Sequence, residues 1–307
     1  MQVSVPDVSS RPLAELISLS GRRAVVTGAG RGLGRAVSRR LAEAGADVLV
    51  ADIAHELAAT VAEDLNTRRP GCALAAHLDV TDAESVAAAA DLAVRELGGL
   101  DIWVNNAGIF PSVPALEMSG GTWDEVFAVN TRGVFLGSRE AARRMREAGS
   151  GGVIVNVVST AGFRGTAPGL AAYVGSKHAV RGITRQLALE FAPFGIRVLG
   201  VAPTYVPTEG NMAAAAAALA DSRAAGSTGN TEARRDAGST GNAEAPADAG
   251  TTEVPTDAGD IASVMRPSLL GRLGVPDDIA RVVLFCAGDL SAFMTGSTLL
   301  ADAGETI

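Results

Sequence analysis

The sequence predicts an α/β fold in which one doubly wound, parallel β-sheet is covered by helices on both faces. Three observations predict it. A short β-branched run, Ala24-Val25-Val26, breaks at a glycine-rich turn, Thr27-Gly28-Ala29-Gly30-Arg31-Gly32-Leu33-Gly34, and continues as a helical pattern with Leu33, Val37 and Leu41 four apart. Strand-like and helix-like patterns then alternate as far as residue 201. The strand patterns are apolar at consecutive positions, as strands buried on both faces read.

In chain order, residues 1–20 carry scattered Pro and Ser with an apolar patch from Leu13 to Leu19, and read as a flexible arm with one helical turn. Residues 21–307 read as a single domain. Its second strand, Asp47 to Ala51, ends in Asp52, and a helix follows through Leu57, Val61 and Leu65. A strand at Ala73 to Leu78 ends in Asp79 and Val80, and a helix runs from about Asp82 to Leu97. The strand Asp101 to Val104 opens into Asn105-Asn106-Ala107-Gly108, small and polar where the chain must pass close to a ligand. A long helix is expected from Thr122 to Glu147, with Asn130 set among Val126, Phe127, Val129, Val134, Phe135 and Leu136. The fifth strand, Val153 to Val158, ends at Ser159, and a helix over Leu170 to Phe191 carries Tyr173 and Lys177. The sixth strand, Arg197 to Val201, leads into Pro203-Thr204-Tyr205-Val206-Pro207-Thr208.

Composition narrows the function classes. The chain has 307 residues, 47% of them hydrophobic, and a formal charge of −8. With no basic run interleaved with aromatics, nucleic acid and anionic membranes are poor partners. Cys72 and Cys286 are the two cysteines and lie in no Cys/His cluster, so neither a metal site nor a disulfide framework is expected. No basic leader precedes an apolar run and no apolar stretch is long enough to span a bilayer, so a soluble cytoplasmic protein is expected.

Three features carry chemistry. Glycines followed by a helix N-terminus make a phosphate cradle, with free N–H groups at the positive end of the helix dipole. Asp52 stands eighteen residues after Gly34, near where dinucleotide folds place an acid on the adenosine ribose; the plainer alternative is a helix N-cap. A carboxylate there repels a 2′-phosphate and favours NAD over NADP, although Arg31 in the turn could greet that phosphate. The third feature is Tyr173-Val174-Gly175-Ser176-Lys177. Of 26 basic residues only Lys177 is lysine, and it follows one of two tyrosines by four places. On a helix this puts phenol and ammonium on one face. A cation about 4 Å from a phenol is worth about 4 kcal/mol at an effective dielectric of about 20, which would bring its pKa from about 10 to about 7. An arginine fork would not replace the slim ammonium beneath a bound sugar. A surface Tyr/Lys pair on an amphipathic helix is the alternative. Asn130, read from the residues alone, is a structural residue at a helix kink.

These motifs, in this order and spacing, resemble the short-chain dehydrogenase/reductase family in its standard-length branch, with one Rossmann-type domain. The resemblance covers about residues 20–210 and resumes from Gly271 to Asp302. It implies an NAD(H)-dependent oxidoreductase that interconverts a secondary alcohol and a ketone. Tyr173 is then the general acid/base, Ser159 steadies the substrate oxygen, Lys177 tunes the phenol and binds the nicotinamide ribose, and Asn130 holds a water in a proton relay. The resemblance also implies cofactor contacts at Gly28, Arg31, Gly32, Leu33, Gly34, Asp52, Asp79, Val80, Asn106, Ala107, Gly108, Tyr173, Lys177, Pro203, Val206 and Thr208. A small-molecule substrate and a homotetramer or homodimer are further implications. Alternatives are a cofactor-using epimerase or dehydratase, or a non-catalytic dinucleotide sensor. The sequence departs from the family at Thr204, where Pro is usually followed by Gly, and at Ala303, where Asp-Gly-Gly is usual. Arg164 is the one candidate anchor for an anionic substrate in the loop after Ser159, set against its reading as a solvated loop arginine.

Residues 211–263 break the pattern. The repeat Ala225-Gly226-Ser227-Thr228-Gly229-Asn230 returns at Ala237 and, in part, at Ala249, a period of twelve. Eight acids and three arginines lie between Asp221 and Asp260. This composition predicts a disordered, acidic, low-complexity insertion in the substrate-lid region, and a neutral repeat expansion is favoured over a partner-recruiting tether.

Overall fold

The structure is a computed structural model that describes residues 7–210, 212 and 268–307. The insertion expected over 211–263 falls outside the described residues, apart from Met212. Seven parallel strands form one sheet in the order β3-β2-β1-β4-β5-β6-β7. They are β1 Arg23–Thr27, β2 Asp47–Asp52, β3 Ala73–His77, β4 Ile102–Asn105, β5 Gly152–Val157, β6 Ile196–Pro203 and β7 Thr298–Ala301. The order reverses at β1, which pairs with β2 on one side and β4 on the other, opening a crevice at their carboxyl ends.

Helices cover both faces. On one side α2 (Gly32–Glu43), α3 (His55–Arg68) and α8 (Pro276–Ala287) bury Val37, Leu41, Val61, Leu65, Ile279 and Val283 against Val26, Val48 and Val50. On the other, α4 (Ala83–Glu96), α6 (Gly133–Ala148) and α7 (Ala171–Phe191) bury Val86, Ala89, Leu136, Met145 and Leu187 against Val25, Leu49 and Trp103. Each such side chain contributes about 1.5–3 kcal/mol when fully buried. Local signals set the ends. Asp82 caps α4 by accepting from Glu84 N and Ser85 N at 3.0 and 3.3 Å, and α6 stops at Gly149 with φ +65°.

One expectation is corrected, and two elements are added to the reading. The continuous helix over 122–147 is instead α5 (Gly120–Phe127), a five-residue π-turn (Ala128–Arg132) and α6. The extra residue in that turn swings Asn130 inward, where it is 0% exposed. The arm over 1–20 is docked in its described part. It forms α1 (Leu13–Ile17), buries Leu19, and sets Arg11 on Asp289 at 2.8 Å, a carboxylate 278 residues away that no local pattern connects to it. The sequence reading did not foresee α8, although Pro276 opens it and Asp278 accepts from Val275 N at 2.9 Å.

A buried polar chain ties the sheet to the helices on its second face. Trp103 Nε1 donates to Asn105 Oδ1 at 2.7 Å, and Asn105 Nδ2 donates to Ser138 Oγ on α6 and to Asn156 Oδ1. Asn156 Nδ2 then donates to Thr184 Oγ1 on α7 at 2.9 Å. These bonds within the chain tie α6 and α7 to β4 and β5.

Candidate active site and dinucleotide cleft

The glycine turn between β1 and α2 is closed down by backbone contact. Gly28 has φ +61°, and a Cβ on it would lie 2.8 Å from Ala107 Cα. At Gly34 a Cβ would run into Gly28 O and Asn106 Nδ2. Asn106 latches the turn by donating from Nδ2 to Thr27 O and Gly28 O at 3.0 and 2.9 Å. The N–H groups of Asn106 and Ala107 both reach Thr27 Oγ1, an acceptor the sequence reading passed over.

Asp52, at the end of β2, accepts from Gly30 N through one oxygen and from Ala54 N through the other, both at 2.9 Å. The N-cap position of α3 is Ala54, so Asp52 is not that cap. Arg31 is exposed at the N-cap of α2, and Leu33 packs half-buried against the core. The segment after β6 folds over this turn. A Cβ on Gly32 would lie 3.3 Å from Thr208 Cβ, and Gly32 N donates to Glu209 Oε2 at 3.2 Å. Arg35 reaches the same carboxylate at 2.6 Å. The N-terminus of α2 therefore already holds an oxyanion donated by the chain itself, which is the property a pyrophosphate needs.

Farther along the crevice, Asp79 accepts from Thr81 N and Thr81 Oγ1 at 2.8 and 2.7 Å, and Val80 lies against Gly133. Pro203 ends β6 in register with Ala301. Val206 and Thr208 are 2% and 9% exposed.

The candidate reacting groups meet where β5 and α7 converge. The Tyr173 phenol stands close enough to Ser159 for that hydroxyl to favour its ionised form, and Ser159 Oγ also accepts from Ala161 N at 3.1 Å. Lys177 is 4% exposed, its Nζ lies 5.6 Å from the Tyr173 ring centroid, and it donates to Val157 O at 2.9 Å. Asn130 accepts from Ile109 N and donates to Ile109 O, both at 2.8 Å, and donates to Ser176 Oγ at 3.1 Å. A Cβ on Gly108 would sit 3.2 Å from Asn130 Oδ1 and 3.8 Å from Lys177 Nζ, so the missing side chain is what lets these groups share one space. Ile109, Ser176 and Val157 were not singled out in the sequence, because their parts are played by backbone atoms or a common hydroxyl.

The electrostatics correct one expectation. Burial pushes the Tyr173 phenol above its ordinary value, with the Ser159 hydrogen bond pulling the other way, rather than Lys177 drawing it toward 7. Burial also brings Lys177 down to about 8. Both groups lose hydration, which disfavours the charged form of each. Arg164 brings a second correction. It is neither a solvated loop arginine nor a free anion anchor, because its Nη2 is paired with Glu305.

The fold has counterparts among known proteins. A family model described as short chain dehydrogenase matches residues 22–218. This chain belongs to the short-chain dehydrogenase/reductase family. Members are NAD(P)-dependent enzymes that act on CH–OH groups. The cyclopentanol dehydrogenase of Comamonas sp. (strain NCIMB 9872) is 35% identical over 92% of this chain and 96% of its own length. Among solved structures, a gluconate 5-dehydrogenase from Burkholderia cenocepacia in complex with NADP and tartrate superposes with a TM-score of 0.77. It is 32% identical over 96% of this chain and 99% of that one. A 3-ketoacyl-(acyl-carrier-protein) reductase from Brucella melitensis complexed with NADH gives a TM-score of 0.74 at 29% identity, covering 94% of this chain and 100% of that one. Members of the family thus carry either form of the cofactor in this fold. Among the described residues no helix is long and apolar enough to cross a membrane, and no group of three or more His, Cys, Asp or Glu could hold a metal ion.

Proposed function

We propose that the protein is an NAD(H)-dependent oxidoreductase that interconverts a secondary alcohol and a ketone. The observation that carries this reading is the buried Lys177 ammonium 5.6 Å from the Tyr173 ring centroid, with Ser159 beside the same phenol. The residues present fit a dinucleotide: backbone approach at Gly28 and Gly34, an oxyanion-accepting N–H at Gly32, and a carboxylate at Asp52 beside the turn.

Tyr173 is protonated at neutral pH, as needed to donate to a carbonyl oxygen during reduction, and it takes that proton back in the oxidative direction. Ser159 donates to the same substrate oxygen and steadies the charge that develops there. Lys177, largely cationic at neutral pH, stabilises the phenolate and has ammonium N–H groups beyond Val157 O for a ribose hydroxyl. Asn130 lines the proton path beside Lys177 and holds the chain at Ile109 and Ser176. A bound nicotinamide supplies or receives the hydride. Asp52 favours NAD because its charge opposes a 2′-phosphate, while Arg31 stands exposed at the N-cap of α2 with its Nε near Gly210.

We also propose that the chain works as a homotetramer or homodimer. Support comes from large apolar side chains left exposed on the relevant elements: Trp123 on α5, Phe135 on α6, Leu189 on α7 and Leu300 on β7. Light scattering tests this, and a monomer at micromolar concentration would refute it.

The test of function is a panel of neutral secondary alcohols and ketones assayed with NAD and NADP in parallel, with isotope transfer from reduced cofactor into product. Turnover with NAD and label at the carbinol carbon are expected. No turnover with either cofactor, or product formed without the label, would sink the reading.

A further inference from the structure

One carboxylate joins the loops that follow three neighbouring strands. Glu305, past the end of β7, accepts from Arg164 Nη2 and from Thr204 Oγ1. Arg164 lies in the loop after β5, five residues beyond Ser159, and Thr204 directly follows β6. Because β5, β6 and β7 are adjacent and parallel, all three loops leave the same carboxyl edge of the sheet, where such folds take their ligands.

Both ends of this latch are built in. The side chain of Glu305 keeps 10% of its exposure and that of Arg164 keeps 33%. The tail carrying Glu305 is folded on itself, with the Asp302 carboxylate accepting from Gly304 N at 3.1 Å, Thr306 N at 3.0 Å and Thr306 Oγ1 at 2.6 Å. The loop carrying Arg164 is pressed onto the catalytic helix, since a Cβ on Gly162 would lie 2.9 Å from Lys177 O. Thr204, where relatives usually have glycine, supplies the hydroxyl that holds the second carboxylate oxygen. Arg164 Nε is buried and has no hydrogen-bond partner among the described residues.

An arginine at this edge is the side chain best suited to grip a substrate carboxylate. Here its charge is matched by a carboxylate on the same chain, and a tethered partner competes at high effective concentration. We propose that Glu305 is a specificity-determining residue that holds Arg164 neutralised and reserves the pocket for uncharged alcohols and ketones. This rests on the reading of Ser159, Tyr173 and Lys177 as an alcohol-oxidising centre. Once the carboxylate is removed, a partly buried guanidinium with an orphan Nε–H remains, and a ligand anion is then the group that satisfies it.

The experiment compares the wild type, Glu305→Gln, Glu305→Ala, Thr204→Gly and the double variant Glu305→Ala/Arg164→Met. For each, kcat/KM is measured with cyclohexanol and with 4-hydroxycyclohexanecarboxylate, the affinity for cyclohexanecarboxylate by calorimetry, and the Tm as a control on folding. The wild type is expected to favour the neutral alcohol. Both Glu305 variants should raise the charged-to-neutral ratio about tenfold or more and bind the carboxylate about tenfold tighter, a change of about 1.4 kcal/mol. Thr204→Gly should move the same way by less, and the double variant should return to wild-type values. An unchanged ratio and affinity in a Glu305 variant that melts like the wild type would overturn the proposal, as would an equal gain in the double variant. If neither Glu305 variant folds, Thr204→Gly decides in the same terms. A wild type that turns over no alcohol with either cofactor would sink the proposed function instead, and calorimetry would still decide the latch.

Discussion

Lys177 donates its ammonium to the main-chain carbonyl of Val157 at 2.9 Å, two residues before Ser159 on the chain. The same nitrogen lies 3.8 Å from where a Cβ on Gly108 would sit, and a planar guanidinium is broader than the ammonium it would replace. Lys177→Arg should therefore lose cofactor affinity and turnover together, each by about tenfold or more, within the range of a lost charge-assisted contact. Isothermal titration with NAD and steady-state kinetics check both. The same burial gives a pH signature. The folded pKa of Lys177 is depressed to about 8 from 10.5, so between those values the unfolded chain binds more protons and stability attributable to this group rises with pH. From about pH 7.5 to about pH 10 the wild type should gain about 2 kcal/mol relative to Lys177→Met in urea unfolding. No difference between the two slopes would contradict the burial effect.

Tyr173→Phe keeps the ring against Phe110, whose centroid is 5.9 Å away, and removes the proton carried at the Ser159 contact. Turnover should fall by about 10²–10⁴-fold while NAD affinity changes less than about twofold. Unchanged turnover would rule Tyr173 out as the acid/base.

Asp52→Ser removes a carboxylate that accepts from Gly30 N and Ala54 N. The ratio of kcat/KM with NAD to that with NADP should drop by about ten- to a hundredfold, at about 1.4 kcal/mol per tenfold. Stability should fall by about 1 kcal/mol as the two N–H groups lose their acceptor. A ratio that stays fixed would remove Asp52 from cofactor selection.

Glu209 sits on the N–H of Gly32 as an anion that a pyrophosphate must displace. Its pairing with Arg35 is exposed and worth at most about 1 kcal/mol. Glu209→Ala should tighten NAD binding by up to about fivefold, read as Kd by fluorescence titration. Weaker binding would show that the carboxylate assists rather than competes.

Ala303 is the one non-glycine residue with positive φ among the described residues, at +51°, where relatives usually carry glycine. The left-handed region costs an alanine about 1–2 kcal/mol, partly offset by the freedom glycine loses on folding. Ala303→Gly should stabilise the chain by about 0.5–1 kcal/mol in chemical unfolding, and a loss of stability would be the contrary result.

Much of the fold was legible because the signals are local. β-branched runs at β1, β2 and β5, leucine and valine spacing on α2 and α3, and the capping Asp82 each lie within one turn or strand. The π-turn at Ala128–Arg132 was not legible, because the apolar pattern of a continuous helix and of one with a single extra residue differ little until Asn130 finds Ile109 and Ser176. The same holds for the docked arm, since Arg11 and Asp289 are joined only by packing.

What the sequence by itself determined is the parallel α/β character implied by alternating units, the glycine turn, and the placing of Tyr173 and Lys177 on one helix face, because these follow from local spacing; Ser159 joined them through the family resemblance. Only the tertiary structure decided how those groups are charged and who holds them. Burial raises the phenol and lowers the ammonium, and burial is a property of everything packed around them. It also decided the fate of Arg164, because its partner Glu305 lies 141 residues away and reaches it only after β5, β6 and β7 are laid side by side.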